Sequence, residues 1–322
     1  MPFVTIDQPI TDRAPYKPPP GAREAPGEYF GFLPRPIRCK FHGITLEPVP
    51  DYASVKAWIA SYTDHKGFVP PPYEQIGSFD PDPTTMELLG VKGAPSVAPL
   101  FKLPASHLIT FPSGLAPELH RTHASFIMHL AAYLLDTWVQ FENWWFSARV
   151  PVTRREAPDV SDSTIQHFVA HSYDIWRSWL EQDQVRTTNL LFMHCRASSY
   201  SWEFEQFTFE YLVTDACWRS AARTQQLSDP RHEERIIKLC EFFGMPQEAD
   251  VIQEIVALRN DLVHEALWAG MQPTSGGTAA AFRRVYDLRR LNMRLIPAVL
   301  GYRNRYVQTP WWDLAPTSFD SL

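Results

Sequence analysis

Residues 248–268 read EADVIQEIVALRNDLVHEALW, and this stretch decides the fold of the C-terminal third. Ile252, Ile255, Val256, Leu262, Val263 and Ala266 fall close to helical spacing and lay one apolar stripe along a helix. Arg259 lies between Val256 and Val263, on or beside that stripe. His264 follows five positions later, rotated by about 140° on an ideal helix. The two side chains therefore do not stack on one face, because only residues three or four apart do. They can meet at a groove edge, at a distorted turn, or through a second copy of the helix.

The flanking sequence predicts three companion helices. Residues 201–226 carry Phe204, Phe207, Tyr211, Trp218 and Ala222 along one long aromatic helix. Asp229-Pro230 starts another, which Gly244 ends, glycine being the usual residue after a last helical turn. Gly276-Gly277 precede the last, running to about Tyr302 with a kink expected at Pro297. Short connections imply antiparallel neighbours, so an up-and-down bundle is expected over residues 196–305, with a tail over 306–322.

Upstream the composition changes. Of the 29 prolines, 21 fall in the first 117 residues, which rules out a regular bundle there. Residues 1–116 read as an irregular, proline-rich α+β region. Residues 1–35 are expected to be extended and loop-like, including the short polyproline run Pro18-Pro19-Pro20. Strand candidates span Ile37 to Val49 and Leu100 to Phe111, and Asp51 to Tyr62 reads as a short helix. A central helical segment is expected over 117–195. Pro117-Glu118 opens a helix whose apolar spacing continues through Trp138, Phe141 and Trp145 to Val150. Asp162 or Ser163 caps the next, which carries Ile165, Phe168, Val169, Ile175, Trp176 and Trp179. The fold class is thus mainly α.

The chain has 322 residues, 45% hydrophobic, 20% charged and 13% aromatic, which is a globular composition and too aromatic for disorder. A net charge of −6 excludes a basic field over the whole protein, leaving only a local patch for nucleic acid. Cys39, Cys195, Cys217 and Cys240 form no CxxC pair, and free thiols in a reducing compartment are expected. The first residues lack the basic and apolar parts of a signal peptide. No stretch reaches the roughly 18 apolar residues of a membrane span. A cytoplasmic protein without membrane contact is expected.

Arginine, asparagine and histidine in the order Arg259-Asn260-Asp261-Leu262-Val263-His264 form a chemically coherent set. This segment resembles the signature of the HEPN superfamily: an arginine, a polar residue that is commonly asparagine, and a histidine further along a late helix. The order of helices around it also resembles that superfamily. Among the subfamilies it is most similar to the ApeA-type members, which place an unrelated N-terminal module before the helical domain. The resemblance covers about residues 196–305. It implies a metal-independent endoribonuclease needing no cofactor, in a host-defence or toxin setting. RNA supplies its own nucleophile, the 2′-hydroxyl beside the scissile phosphate. Histidine in general titrates near neutrality and can take or give a proton. Arginine can grip two phosphate oxygens and stabilise charge developing on them. The resemblance therefore implies phosphate binding by Arg259, proton transfer by His264, support from Asn260, and 2′,3′-cyclic phosphate ends. It also implies a homodimer with two motifs facing one cleft, and an activator or antitoxin as a further partner. The alternative is a non-catalytic helical scaffold of the same fold that binds RNA or a partner protein.

Other groups in the chain compete with this set. Arg283, Arg290 and Arg294 share a face of the last helix with Asp287, and they either track an RNA backbone or form internal pairs. Arg284, Arg289, Arg303 and Arg305 add to the same basic stretch. Glu203 and Glu210 read as a solvated face or as acids orienting Arg259 or His264. Trp138, Trp144 and Trp145 read as core rather than as a base-stacking platform. His167 and His171 have the spacing of a metal pair but no HExxH pattern or third ligand, so no metal is expected. His120, His123 and His129 are not spaced as a ligand set. Phosphate-loop, dinucleotide and serine-hydrolase signatures do not occur.

Overall fold

A computed structural model describes residues 10–11, 13–75, 78–81, 88–92, 95–153, 158–225, 231–275, 277–302, 304–313 and 318–319. The chain is about 52% helical and mainly α. Its strands are β1 (Ile10–Thr11), β2 (Glu28–Gly31), β3 (Cys39–Phe41), β4 (Ile44–Pro48), β5 (Phe68–Val69) and β6 (Tyr73–Gln75). They continue as β7 (Ser78–Pro81), β8 (Leu88–Lys92), β9 (Pro95–Val97), β10 (His107–Thr110), β11 (Gln140–Phe141) and β12 (Val150–Pro151). The helices are α1 (Tyr52–Ser61), α2 (Pro117–Leu134), α3 (Asp162–Arg177), α4 (Glu181–Ala197), α5 (Glu203–Gln225), α6 (His232–Phe243), α7 (Ala249–Asn260) and α8 (Ala279–Val299).

The N-terminal region is organised by one antiparallel sheet of order β11-β2-β10-β4-β3. His107 pairs with both Phe30 and Pro48, and Cys39 with Leu46. Both strand candidates hold: β3 and β4 form a hairpin inside Ile37 to Val49, and β10 lies inside Leu100 to Phe111. From this sheet Phe30, Phe41, Ile44, Leu46 and Ile109 enter the main core with α2 and α3. Phe32, Val49, Val55, Ile59, Trp138 and Phe146 make a smaller second core that includes α1.

The main core does not respect the expected boundary at 195/196. It joins Ala131 and Leu134 of α2, Leu190 and Cys195 of α4, Phe207 and Trp218 of α5, and Leu288 and Leu295 of α8. The helix expected from Pro117 to Val150 stops at Leu134. Asp136 takes a positive φ of 50°, which a helix cannot hold, and the chain turns back to add β11 to the sheet edge. Trp138 is core, as expected, but Trp144 and Trp145 are half exposed, at 50% and 53%. They meet cations instead, Arg121 beside Trp144 and Lys102 over Trp145. Ser161, one residue ahead of the expected cap, receives the Thr164 N–H and starts α3. α4 occupies the part of the central segment that the sequence did not resolve into a separate helix.

In the last third, Gly244 ends α6 in the left-handed conformation, φ 64°, as its position predicts. The expected start of that helix at Asp229-Pro230 lies outside the described residues, as do Gly276 and Arg303. Thr278 caps α8 by accepting the Ala281 N–H, and Pro297 lies inside that helix.

Candidate active site

The apolar stripe of residues 248–268 holds as far as Leu262, which is partly buried against the main core, and fails at Val263. Ile252, Ile255, Val256 and Leu258 are buried, while Val263 is 59% exposed. The cause is a change of helix type. α7 ends at Asn260 and continues as a single π-helical turn, Asp261–Glu265. The Ala266 and Leu267 N–H groups both reach back to the Asp261 carbonyl, five and six residues away. A π turn closes over five residues rather than four, and such turns occur often at functional sites. It turns Val263 outward and brings Arg259 and His264, which are five apart, back onto one side.

The turn is held at its far end. Ala266 adopts a left-handed conformation, φ 55° and ψ 31°, and stops the helix. Two residues on, Trp268 is buried against Phe207 of α5, with ring centroids 5.2 Å apart. A tight bridge between Trp268 and Met271 fixes it there. Gly277 closes over the indole: a Cβ at that position would lie 2.4 Å from Trp268 Nε1.

Arg259 Nη1 donates to His264 Nε2 at 3.0 Å and to Asn260 Oδ1 at 3.0 Å. Its guanidinium lies over the Tyr211 ring of α5, 5.9 Å from the centroid. A guanidinium has no acceptor, so His264 Nε2 carries a lone pair and the ring proton resides on Nδ1. The three residues of the motif thus form one hydrogen-bonded set on an exposed turn. The set lines a shallow open pocket of about 580 Å³, together with Asp261, Glu265, Arg231 and His232. Two arginines against two carboxylates leave the lining balanced in formal charge, so the group that can receive a phosphate there is the Arg259 guanidinium itself.

His232 was not singled out in the sequence. The available signal was topological. α6 and α7 are joined by a short connection and pack together, so the start of α6 lies beside the end of α7. His232, the first residue of α6, therefore faces the turn that carries His264.

The arginines of α8 are mostly committed elsewhere. Arg294 is buried and donates to the Thr309 and Pro310 carbonyls, the Thr309 hydroxyl and the Arg290 carbonyl. Arg290 approaches Asp287 at 3.6 Å, and Arg284 bridges Glu254 and Asp287. Arg283 and Arg305 are exposed. Internal pairing, and not an RNA track, accounts for Arg290 and Arg294.

Glu210 is likewise remote from Arg259 and His264 in its bonding. It is buried, accepting from Arg289 at 2.5 Å, His194 Nδ1 at 2.9 Å and Asn292 Nδ2 at 2.8 Å. Arg289 also pairs with Asp136. Burial alone would raise the Glu210 pKa, but His194 and Arg289 outweigh it and hold the carboxyl below its usual range.

Competing nucleophiles and bases are disfavoured by burial. It pushes the Cys39 and Cys240 thiols up to about 12, and the Cys195 and Cys217 thiols up as well. It pulls His107 down to about 3 and His129 to about 4. His167 bonds the Tyr302 hydroxyl at 3.2 Å, and among the described residues no group of three His, Cys, Asp or Glu could hold a metal ion. A larger cavity of about 720 Å³, lined in part by Trp179, Arg223, Phe243 and Tyr302, contains no residue of the motif. No described helix is long and apolar enough to cross a membrane. No protein-family model, curated protein or solved structure matches this chain.

Proposed function

We propose that this chain is a metal-independent endoribonuclease that cleaves RNA by attack of the 2′-hydroxyl on the adjacent phosphate. The observation that carries the reading is the 3.0 Å contact between Arg259 Nη1 and His264 Nε2 in an open pocket. A phosphate entering that pocket competes for the guanidinium, because a charged acceptor binds it more strongly than a neutral ring nitrogen does. As Arg259 turns to the phosphate, the Nε2 lone pair is released at the moment a base is needed. His264 then accepts the 2′-hydroxyl proton, and Arg259 stabilises the charge gathering on the phosphoryl oxygens. Asn260, bonded to the same guanidinium nitrogen, holds Arg259 at the pocket edge.

The resemblance to HEPN ribonucleases supports a host-defence or toxin setting, with the N-terminal region sensing a trigger or receiving an antitoxin. It also supports a homodimer. Val263 and Leu267, 59% and 38% exposed beside the motif, are suited to a second copy. Val263→Asp is expected to dissociate that dimer on light-scattering chromatography; a single unchanged species for both proteins would remove the dimer from the proposal.

The test is cleavage of a mixed-sequence RNA by the full chain and by His264→Ala, with EDTA present. Cleavage by the wild type alone, leaving 2′,3′-cyclic phosphate and 5′-hydroxyl ends, is the expected result. Equal cleavage by both proteins refutes the role of His264. Binding without cleavage by either favours the scaffold reading.

A further inference from the structure

We infer that Tyr211 is the positioning residue of this pocket: its ring holds the Arg259 guanidinium against α5 and so keeps the Nε2 lone pair of His264 in place. The consequence for cleavage rests on the ribonuclease reading above; the positioning itself does not.

The turn that carries the motif does not fix its own register. None of the five residues of the π turn, Asp261–Glu265, is buried, and Leu262 packs on the main core only in part. A single π turn competes with the ordinary α turn, which closes over one residue fewer. The ordinary turn would leave Arg259 and His264 about 140° apart. The observed closure is therefore imposed from the two ends of the turn.

α5 supplies the support at both ends. Phe207 and Tyr211 are four residues apart, so their rings share one face of that helix, with centroids 6.0 Å apart. Trp268, beyond the turn, packs on Phe207 at 5.2 Å. Arg259, ahead of the turn, lies over Tyr211 at 5.9 Å. All three rings are buried. One row, Trp268–Phe207–Tyr211–Arg259, thus clamps the chain on either side of the closure.

The nearby charges show why the guanidinium needs a platform. Asp261 and Glu265 line the same pocket. A carboxylate binds a guanidinium more strongly than the neutral acceptors that Arg259 uses, Asn260 Oδ1 and His264 Nε2. Those two acceptors belong to the same stretch of chain and move with it. Tyr211 comes from another helix and ties the guanidinium to the body of the protein. A ring face attracts the cation through its π electrons without using up an N–H. The donors of the fork stay available to His264, to Asn260 and to an incoming phosphate.

The experiment reads the tautomer of neutral His264 by nitrogen NMR of the imidazole in the full chain, its signal assigned by its loss in His264→Ala. RNA cleavage with EDTA present is measured beside it. In the wild type the proton is on Nδ1, as the bond from Arg259 requires. Tyr211→Leu is expected to spread the proton over both nitrogens and to lower kcat/KM by about 3–30-fold, the range for loss of one cation–π contact. Tyr211→Phe keeps the ring and is expected to keep the wild-type tautomer and rate. Phenylalanines with one, two and three ring fluorines at position 211 hold the volume nearly constant while draining the π face, and both readouts decline in order of fluorination. An unmoved tautomer in Tyr211→Leu, or no graded decline across the fluorinated rings, overturns the proposal. Should Tyr211→Leu fail to melt cooperatively, the fluorinated series decides alone. A wild type that cuts no RNA defeats the nuclease reading and leaves the tautomer to judge the positioning; cleavage and tautomer both indifferent to Tyr211 overturn the positioning alone.

Discussion

Replacing Glu210 by glutamine removes one charge from the middle of the helical core without changing its volume. The carboxylate accepts on both oxygens: Oε1 from Arg289, and Oε2 from His194 and Asn292. A glutamine places an NH₂ group against one of these donors whichever way its amide is turned. With NH₂ toward Arg289, two donors collide and the guanidinium keeps Asp136 as its one carboxylate partner. With NH₂ toward Asn292, that amide must flip and break its bond to the Thr214 hydroxyl. Breaking a buried ion pair in this way costs roughly 3–5 kcal/mol. Unfolding entropy of about 2.1 cal/mol/K per residue gives about 0.7 kcal/mol/K over 322 residues, so Tm should fall by about 4–7 °C. Calorimetry of the two proteins measures it, and RNA cleavage well below both melting points supplies the second readout. Cleavage should be unchanged, because Glu210 bonds to neither Arg259 nor His264. A shift under about 1 °C would show that the network contributes little. A large loss of cleavage at unchanged Tm would mean that Glu210 does act on the site.

Three further outcomes follow from particular contacts. The Glu210 carboxyl is held below its usual range, so its stabilisation is fully present above the ordinary carboxylate value of 4.5 and is lost as pH falls through the lowered one. Acid titration of Tm should therefore fall more steeply for the wild type than for Glu210→Gln below that value, and parallel curves would contradict the shift. Arg259→Lys keeps the charge but cannot grip two phosphate oxygens at once, and cleavage should drop by about 10²–10³-fold with little change in Tm; retained activity would argue that only charge matters there. Ala266→Gly relieves a left-handed alanine at an exposed position and keeps both N–H bonds to Asp261. It should be neutral to stabilising by about 0.5–1 kcal/mol in denaturant titration, whereas a clear loss would place the alanine methyl in a contact that matters.

Much of this was legible where a local cause acts alone. Gly244 ends α6 because only a residue tolerant of positive φ fits there, and the proline density of the first 117 residues shows in their short strands. Errors arose where tertiary packing competed with local pattern. Trp138, Phe141 and Trp145 have helical spacing, yet the sheet edge offered Gln140 and Phe141 a partner and the chain left the helix. Arginines at helical spacing on α8 look like a basic face, but spacing does not reveal that Asp287, Glu254 and the Thr309 carbonyl face them. The motif was visible as residue types in order. The π turn that joins its ends was not, because nothing in DLVH distinguishes a five-residue closure from an ordinary one. His232 needed the α6–α7 hairpin before it could be placed beside His264.

The core that runs from the sheet through α2 into α5 and α8 also governs how a signal could travel. A regulatory module on a flexible tether acts by leaving. Here the N-terminal region is welded to the helices that flank the pocket, and departure would strip the apolar faces of both. Any trigger read by the sheet must reach the pocket as a change of tension in shared packing. Its path ends at Phe207, Trp268 and the single turn between Asn260 and Ala266, so the pocket would be tuned by strain and not unmasked by release.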